Sequence, residues 1–327
     1  MAQLVTIYGG SGFLGRYIAR RMAQEGWRVR VAVRNPNDAH FVRPYGVVGQ
    51  VEPLFCNIRD DASVAAVAQG ADAVVNCVGT FDSFGKNNFD AVQAEGAGRI
   101  ARIAAEAGAA RMVQISAIGA DPEGPSLYAR SKAEGERRVL EAMPQAVILR
   151  PSVLFGPEDD FFNRFAGMAR FSPAIPVVGA NVRFQPAYVD DVAAAAVEGV
   201  TGRAEPGIYE LGGPDVDTFR ELMQLMLGVI RRRRLVISVP FWVARIMAAG
   251  LDGLERATLR LYRNGTLTRD QVRQLGRDNV VADGARGFAE LGIAPVSMEA
   301  VLPEYLWRFR PSGQYTAIKD SARNLRD

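Results

Sequence analysis

The chain has 327 residues, 48% hydrophobic and 23% charged, with a formal net charge of +3 at pH 7. That suffices for a large α/β unit with a smaller appended lobe, and so small a charge excess gives no argument for a nucleic-acid partner. His40 is the only histidine, which excludes a histidine triad or a multi-histidine metal site, and Cys56 and Cys77 lack metal spacing and read as buried thiols of a reducing compartment.

Leu4-Val5-Thr6-Ile7-Tyr8 reads as a strand and runs straight into Gly9-Gly10-Ser11-Gly12-Phe13-Leu14-Gly15-Arg16. Beyond the glycines, Leu14, Ile18 and Met22 repeat on one helical face. Strand, glycine turn and helix in that order make a dinucleotide site. The chain must turn sharply, let a pyrophosphate approach its backbone, and pack helix against strand where a Cβ would intrude. Unpaired N–H groups and the positive end of the helix dipole then face the phosphates. Strand-like sequence begins within four residues of Met1, leaving no room for a signal or transit peptide, and no stretch is apolar for long enough to span a membrane.

Further strands are expected at Arg28–Val33, Val51–Phe55, Ala73–Val78, Met112–Ile115, Ala146–Leu149 and Gly207–Leu211. Helical patterns at Ala91–Ala107, Tyr128–Ala142 and Tyr188–Val200 separate the later ones. Near-continuous apolar strands with helices between them predict a Rossmann-like, doubly wound parallel sheet covered on both faces. The second strand ends at Arg34, 19 residues after Gly15. An acidic residue there would accept the 2′-hydroxyl of NAD. A guanidinium instead suits a 2′-phosphate, with Arg16 as a second positive charge, so NADP(H) is the expected cofactor. Asn57, followed by Ile58 after the third strand, stands where the adenine amine would be met.

Ser116 ends a strand, and Tyr128-Ala129-Arg130-Ser131-Lys132 follows 12 residues later with its tyrosine and lysine on one helix face. A lysine ammonium there is expected to lower the tyrosine pKa so that the phenol can exchange a proton, while Ser116 binds a carbonyl oxygen. With the glycine turn upstream and Pro151-Ser152 after the next strand, this group resembles the extended and atypical short-chain dehydrogenase/reductase superfamily. The resemblance implies that Val78-Gly79 and Pro151-Ser152 flank the cofactor.

From about residue 214 the texture changes. Thr218-Phe219-Arg220-Glu221 fits a capping box opening a helix to about Ile230. Arg231, Arg232, Arg233 and Arg234 precede a short strand, Leu235–Val239, and a long helical pattern, Phe241–Tyr262. A last helix is expected over Ser297–Phe309, then a polar tail. The expected division is a nucleotide-binding domain over 1–213, with 160–185 contributing to the second lobe, a mainly helical lobe over 214–310, and an extended tail over 311–327.

Arg43-Pro44-Tyr45-Gly46, Phe155-Gly156-Pro157-Glu158-Asp159 and Gln185-Pro186-Ala187-Tyr188-Val189-Asp190-Asp191-Val192 carry a closer resemblance. They look like the nucleotide-binding accessory subunit of respiratory complex I, NADH:ubiquinone oxidoreductase. The likeness covers about residues 1–310 and is most specific in the first 200. It implies a tightly held NADPH, other complex I subunits as partners, and a place beside the quinone region where the peripheral and membrane arms meet. It also implies no established turnover; that family keeps the tyrosine–lysine pair, so Tyr128 and Lys132 do not decide between enzyme and structural subunit. The four consecutive arginines then suit anionic lipid. The early first strand and the arginine-, alanine- and glycine-rich composition imply a bacterial version, peripheral on the cytoplasmic face of the inner membrane. A free NADP-dependent reductase or epimerase using Tyr128, and an NADPH-sensing regulator, are the alternatives.

Overall fold

The computed structural model describes residues 2–82, 85–258, 267–311 and 313–315. The expected helix end at Tyr262 and most of the tail after Pro311 lie outside the described residues. The chain forms two compact units, one of Met1–Ser152, Val189–Gly212 and Val281–Pro295, the other of Val153–Tyr188, Gly213–Val280 and Val296–Asp327.

The first unit is built on seven strands: β1 (Leu4–Tyr8), β2 (Arg28–Val33), β3 (Val51–Phe55), β4 (Ala73–Asn76), β5 (Arg111–Ile115), β6 (Val147–Pro151) and β7 (Gly207–Leu211). Every pairing is parallel, in the order β7-β6-β5-β4-β1-β2-β3. All five residues of β1 are buried, as a central strand covered on both faces requires. Its polar side chains are satisfied internally: the Thr6 hydroxyl donates to the Val67 carbonyl (2.8 Å) and the Tyr8 hydroxyl to that of Val64 (3.1 Å). Both carbonyls belong to α2 (Asp61–Ala68), which packs with α3 (Glu95–Glu106) and α4 (Leu127–Ala142) beside the sheet. Helices α1 (Phe13–Gln24) and α5 (Val189–Thr201) pack against each other, joined by Arg21, which donates twice to the Asp190 carboxylate at 2.8 Å.

Strand and helix positions follow the sequence expectations to within a few residues, with one informative departure. The helix expected from Ala91 begins as a widened π turn, Asp90–Ala94, before α3. The turn sets Gln93 between the loop after β4 and α4, where it donates to the Thr80 carbonyl (2.6 Å) and accepts from Ser131 (3.0 Å).

The second unit holds helices Phe162–Phe171, Phe219–Val229, Phe241–Ala257, Arg269–Gln274 and Met298–Leu306, with short strand pairs between them. Its core is aromatic: Phe161 stacks on Phe219, and Phe155, Phe162, Phe165 and Phe184 pack around them. The capping box is present, with the Thr218 hydroxyl accepting from the Glu221 N–H and the Glu221 carboxylate accepting from the Thr218 N–H. The four consecutive arginines are not uniformly presented to solvent. Arg232 donates to the Phe309 carbonyl and Arg234 to that of Ala169, each at 2.9 Å, while Arg231 and Arg233 are exposed. No helix among the described residues is long and apolar enough to cross a membrane.

Candidate functional site

In a parallel sheet whose strand order reverses, a crevice opens beyond the strand ends where neighbouring connections leave in opposite directions. Here the reversal falls between β1 and β4. The glycine turn leaves β1 on one side of it, and Cys77-Val78-Gly79-Thr80 leaves β4 on the other.

The turn is made by close approach. Gly9 has φ +73°, and a Cβ there would lie 3.2 Å from Val78 Cγ2. A Cβ on Gly15 would lie 2.4 Å from the Gly9 carbonyl oxygen. Gly10 is buried against Val31, and Gly12 is the exposed N-cap of α1. No side chain caps this helix and its first turn carries no acid, so the opening of α1 stays electropositive. Ser11 and Phe13 are half-buried along the turn, and Leu14 is buried beneath it. These features fit a pyrophosphate: backbone within reach, a positive helix end, and no carboxylate to repel it.

The end of β2 is basic. Arg34 is exposed at the end of β2, and its side chain makes no hydrogen bond or ion pair among the described residues. Arg16 folds back over the turn, donating to the carbonyls of Ser11 (3.1 Å) and Gly12 (3.2 Å). Asn57 is half-buried, and its Oδ1 already accepts the Arg59 N–H (3.2 Å), which leaves one lone pair for an adenine amine. Ile58 packs toward α3 at Gly96.

The tyrosine–lysine group lies in the same unit, but its electrostatics differ from the sequence expectation. The Lys132 ammonium sits over the Tyr128 ring face, 5.8 Å from the centroid, and donates to the Ile115 carbonyl at 3.3 Å. Burial pushes the Tyr128 phenol up to about 12 and Lys132 down to about 8, the latter partly offset by the Glu136 carboxylate and the Cys77 thiol. Desolvation therefore outweighs the expected stabilisation of tyrosinate. Cys77 is likewise raised by burial to about 12, and both cysteines are free thiols. Gly79 faces Lys132, a Cβ there lying 4.0 Å from Nζ. Phe81 stacks on Tyr128 with centroids 5.6 Å apart, and Phe89 meets it edge-on at 6.0 Å.

Ser116 is held away from the expected task. Its hydroxyl donates to Glu136 Oε1, and Arg150 donates to both oxygens of that carboxylate (2.9 and 2.7 Å). A hydroxyl whose proton is so placed has only lone pairs left to offer. Pro151 ends β6, its carbonyl accepting from Ile118 N–H, and the Ser152 N–H donates to Leu211. Glu136, Arg150, Phe81 and Phe89 were not singled out in the sequence. Glu136 had a signal, standing four residues after Lys132 on the same helix face; the aromatic partners had none.

The model of the NAD dependent epimerase/dehydratase family matches residues 5–212. Over 316 residues the chain is 34% identical to the mitochondrial NADH dehydrogenase (ubiquinone) 1 alpha subcomplex subunit 9 of Arabidopsis thaliana, covering 95% of this chain and 79% of that protein. It is also 34% identical over 239 residues to the ceramide reductase of Caulobacter vibrioides, covering 72% and 74%. The fold is similar to an NADPH-dependent quinone oxidoreductase from Escherichia coli complexed with NADPH, at TM-score 0.69 and 18% identity, covering 92% and 98%. A family model spanning most of the sheet and a relative of this identity along almost the whole sequence lead to one assignment: the chain belongs to the NAD dependent epimerase/dehydratase family and, within it, to the family of the complex I accessory subunit 9.

Proposed function

We propose that this chain is an accessory subunit of respiratory complex I that retains NADPH as a structural group and has no turnover of its own. The pyrophosphate rests on the opening of α1, the 2′-phosphate between Arg34 and Arg16, and the nicotinamide end near Gly79, Lys132 and Pro151. The nicotinamide, when bound, is a hydride donor. The observation that carries the non-catalytic reading is the commitment of the groups around it. Ser116 gives its proton to Glu136, and Phe81 lies parallel to the Tyr128 ring.

Its partners are the other complex I subunits, and its place is the quinone-side junction of the peripheral and membrane arms, peripheral on the cytoplasmic face of a bacterial inner membrane. The exposed Arg231 and Arg233 suit anionic head groups, each contributing about 1 kcal/mol near such a surface. The test is extraction of membranes in mild detergent, native separation, identification of co-migrating proteins, and release of nucleotide by denaturation. NADPH is expected in the complex I band, and Arg34→Glu is expected to reduce its content by setting a carboxylate against the 2′-phosphate. A chain that migrates alone, or carries NADH, refutes the proposal.

The likeness to a ceramide reductase favours a second reading, a free NADP-dependent reductase with Tyr128 as proton donor. In that case the purified chain exchanges nucleotide readily and oxidises NADPH with a carbonyl substrate.

A further inference from the structure

Apolar side chains scattered singly over a protein surface are ordinary, but a group of large ones is not. The second unit carries such a group. Strands Ala174–Val178 and Leu235–Val239 pair in parallel as a two-stranded ribbon, with Pro176 opposite Ile237. Ile175, Val177 and Val236 pack into the aromatic core. The alternate positions point the other way and are apolar as well: Pro176, Leu235 and Ile237 are exposed. At the C-terminal end of that outer side, Val178 and Val239 pack with Ala244 and Ala248 of helix Phe241–Ala257. The helix buries those two alanines and turns Trp242, Arg245 and Ile246 away from them, leaving Trp242 66% and Ile246 64% exposed. Phe171, 87% exposed, stands near the opposite end of the ribbon, where the Leu235 N–H donates to the Pro173 carbonyl at 3.1 Å.

The charge around these residues has one sign. Segments 161–188 and 222–251, which supply both strands and most of the helix, carry three and five arginines respectively and no aspartate or glutamate. Arg170 and Arg245 are exposed and adjoin Phe171 and Ile246 in the chain, and exposed Arg233 lies two residues before Leu235. Large exposed apolar groups interleaved with arginine, and with no carboxylate in either segment, complement an anionic bilayer surface. Tryptophan settles at head-group depth, aliphatic and phenyl groups reach the acyl boundary, and guanidinium groups meet lipid phosphates.

We propose that this face docks the chain on an anionic lipid surface, with Phe171, Trp242 and Ile246 entering the head-group boundary and Arg170, Arg233 and Arg245 meeting phosphates. The inference rests on the peripheral membrane location proposed above and deepens it, adding insertion by an apolar face to the attraction of exposed arginines. It does not depend on which nucleotide is held.

The experiment floats the purified full chain with vesicles of phosphatidylcholine alone, and of phosphatidylcholine and phosphatidylglycerol in equal parts. The chain is expected to float with the anionic vesicles and not with the neutral ones, and to float less as salt is raised. The difference in emission between wild type and Trp242→Phe is expected to shift to the blue on anionic vesicles. Trp242→Ser combined with Ile246→Ser is expected to weaken partition about tenfold or more, and Arg245→Gln about fivefold. Phe171→Ser, on a different element, is expected to weaken it about three- to tenfold and carries the test if the double variant fails to fold. Absence of flotation with anionic vesicles overturns the proposal. So does flotation that neither apolar variant weakens, since adsorption by arginine alone needs no inserted face. A chain that does not float but still migrates in the complex I band overturns the lipid face and leaves the accessory-subunit reading standing; loss of the double variant from that band would then identify a protein as the occupant. A chain that floats as expected but is missing from the complex I band supports the lipid face and overturns the complex I reading.

Discussion

Alanine at Gly15 tests the glycine turn directly, because two opposed effects of known size meet there. In a helix, glycine to alanine ordinarily gains about 1 kcal/mol from lost backbone freedom in the unfolded chain. At Gly15 the new Cβ would stand 2.4 Å from the Gly9 oxygen and 2.7 Å from the Gly10 Cα, both backbone atoms that cannot rotate away. Relief to ordinary contact needs the turn and α1 to part by about 1 Å, a distortion of the overpacking kind that costs roughly 1–3 kcal/mol. The clash wins, and the expected net loss is about 1 kcal/mol or somewhat more, with NADPH binding weakened at least tenfold because the N–H groups of the turn are displaced. Gly250 is the control. It lies exposed within helix Phe241–Ala257 with nothing inside 4 Å of its added Cβ, so Gly250→Ala should stabilise by about 1 kcal/mol. Urea unfolding and NADPH titration of both variants read the outcome. If Gly15→Ala matches wild type in stability and binding, or Gly250→Ala is destabilised to the same degree, the packing argument is wrong.

Tyr128→Phe should leave NADH:quinone activity of the assembled complex nearly intact; a collapse of turnover with normal assembly would assign it a chemical role. Arg150→Ala strips the buried Glu136 of its two-pronged partner and should cost about 3–5 kcal/mol in denaturant unfolding, most of it recovered by pairing Arg150→Met with Glu136→Leu. Lys132 sets a pH signature. Its folded pKa of about 8 lies below the ordinary lysine value, so between pH 8 and about 10.5 the unfolded chain binds the extra proton and stability rises with pH. Wild type should therefore gain on Lys132→Met as pH is raised through that window, and a constant difference between the two midpoints would contradict the burial of the ammonium.

The alternation of apolar runs, a glycine turn and amphipathic helices was readable along the chain because each depends on residues a few positions apart. So was the capping box at Thr218. The tyrosine–lysine pair was equally visible, but not its electrostatics: whether an ammonium stabilises a phenolate depends on how much water both have lost and on which side of the ring the nitrogen lies. Residues 281–295, which show no strong periodicity, return to the first unit through contacts such as the Ala282 N–H to Glu210, 72 positions apart.

Local order and the chemistry offered at each strand end were thus already determined by the sequence. Tertiary structure decided the partners of polar groups that local spacing does not pair. Ser116 went to Glu136, Arg16 to Phe41 and the turn carbonyls, and Arg232 and Arg234 to backbone oxygens. The physical reason is that hydrogen bonds and ion pairs are settled by proximity and desolvation in three dimensions, and sequence spacing encodes neither beyond a helical turn or a strand repeat.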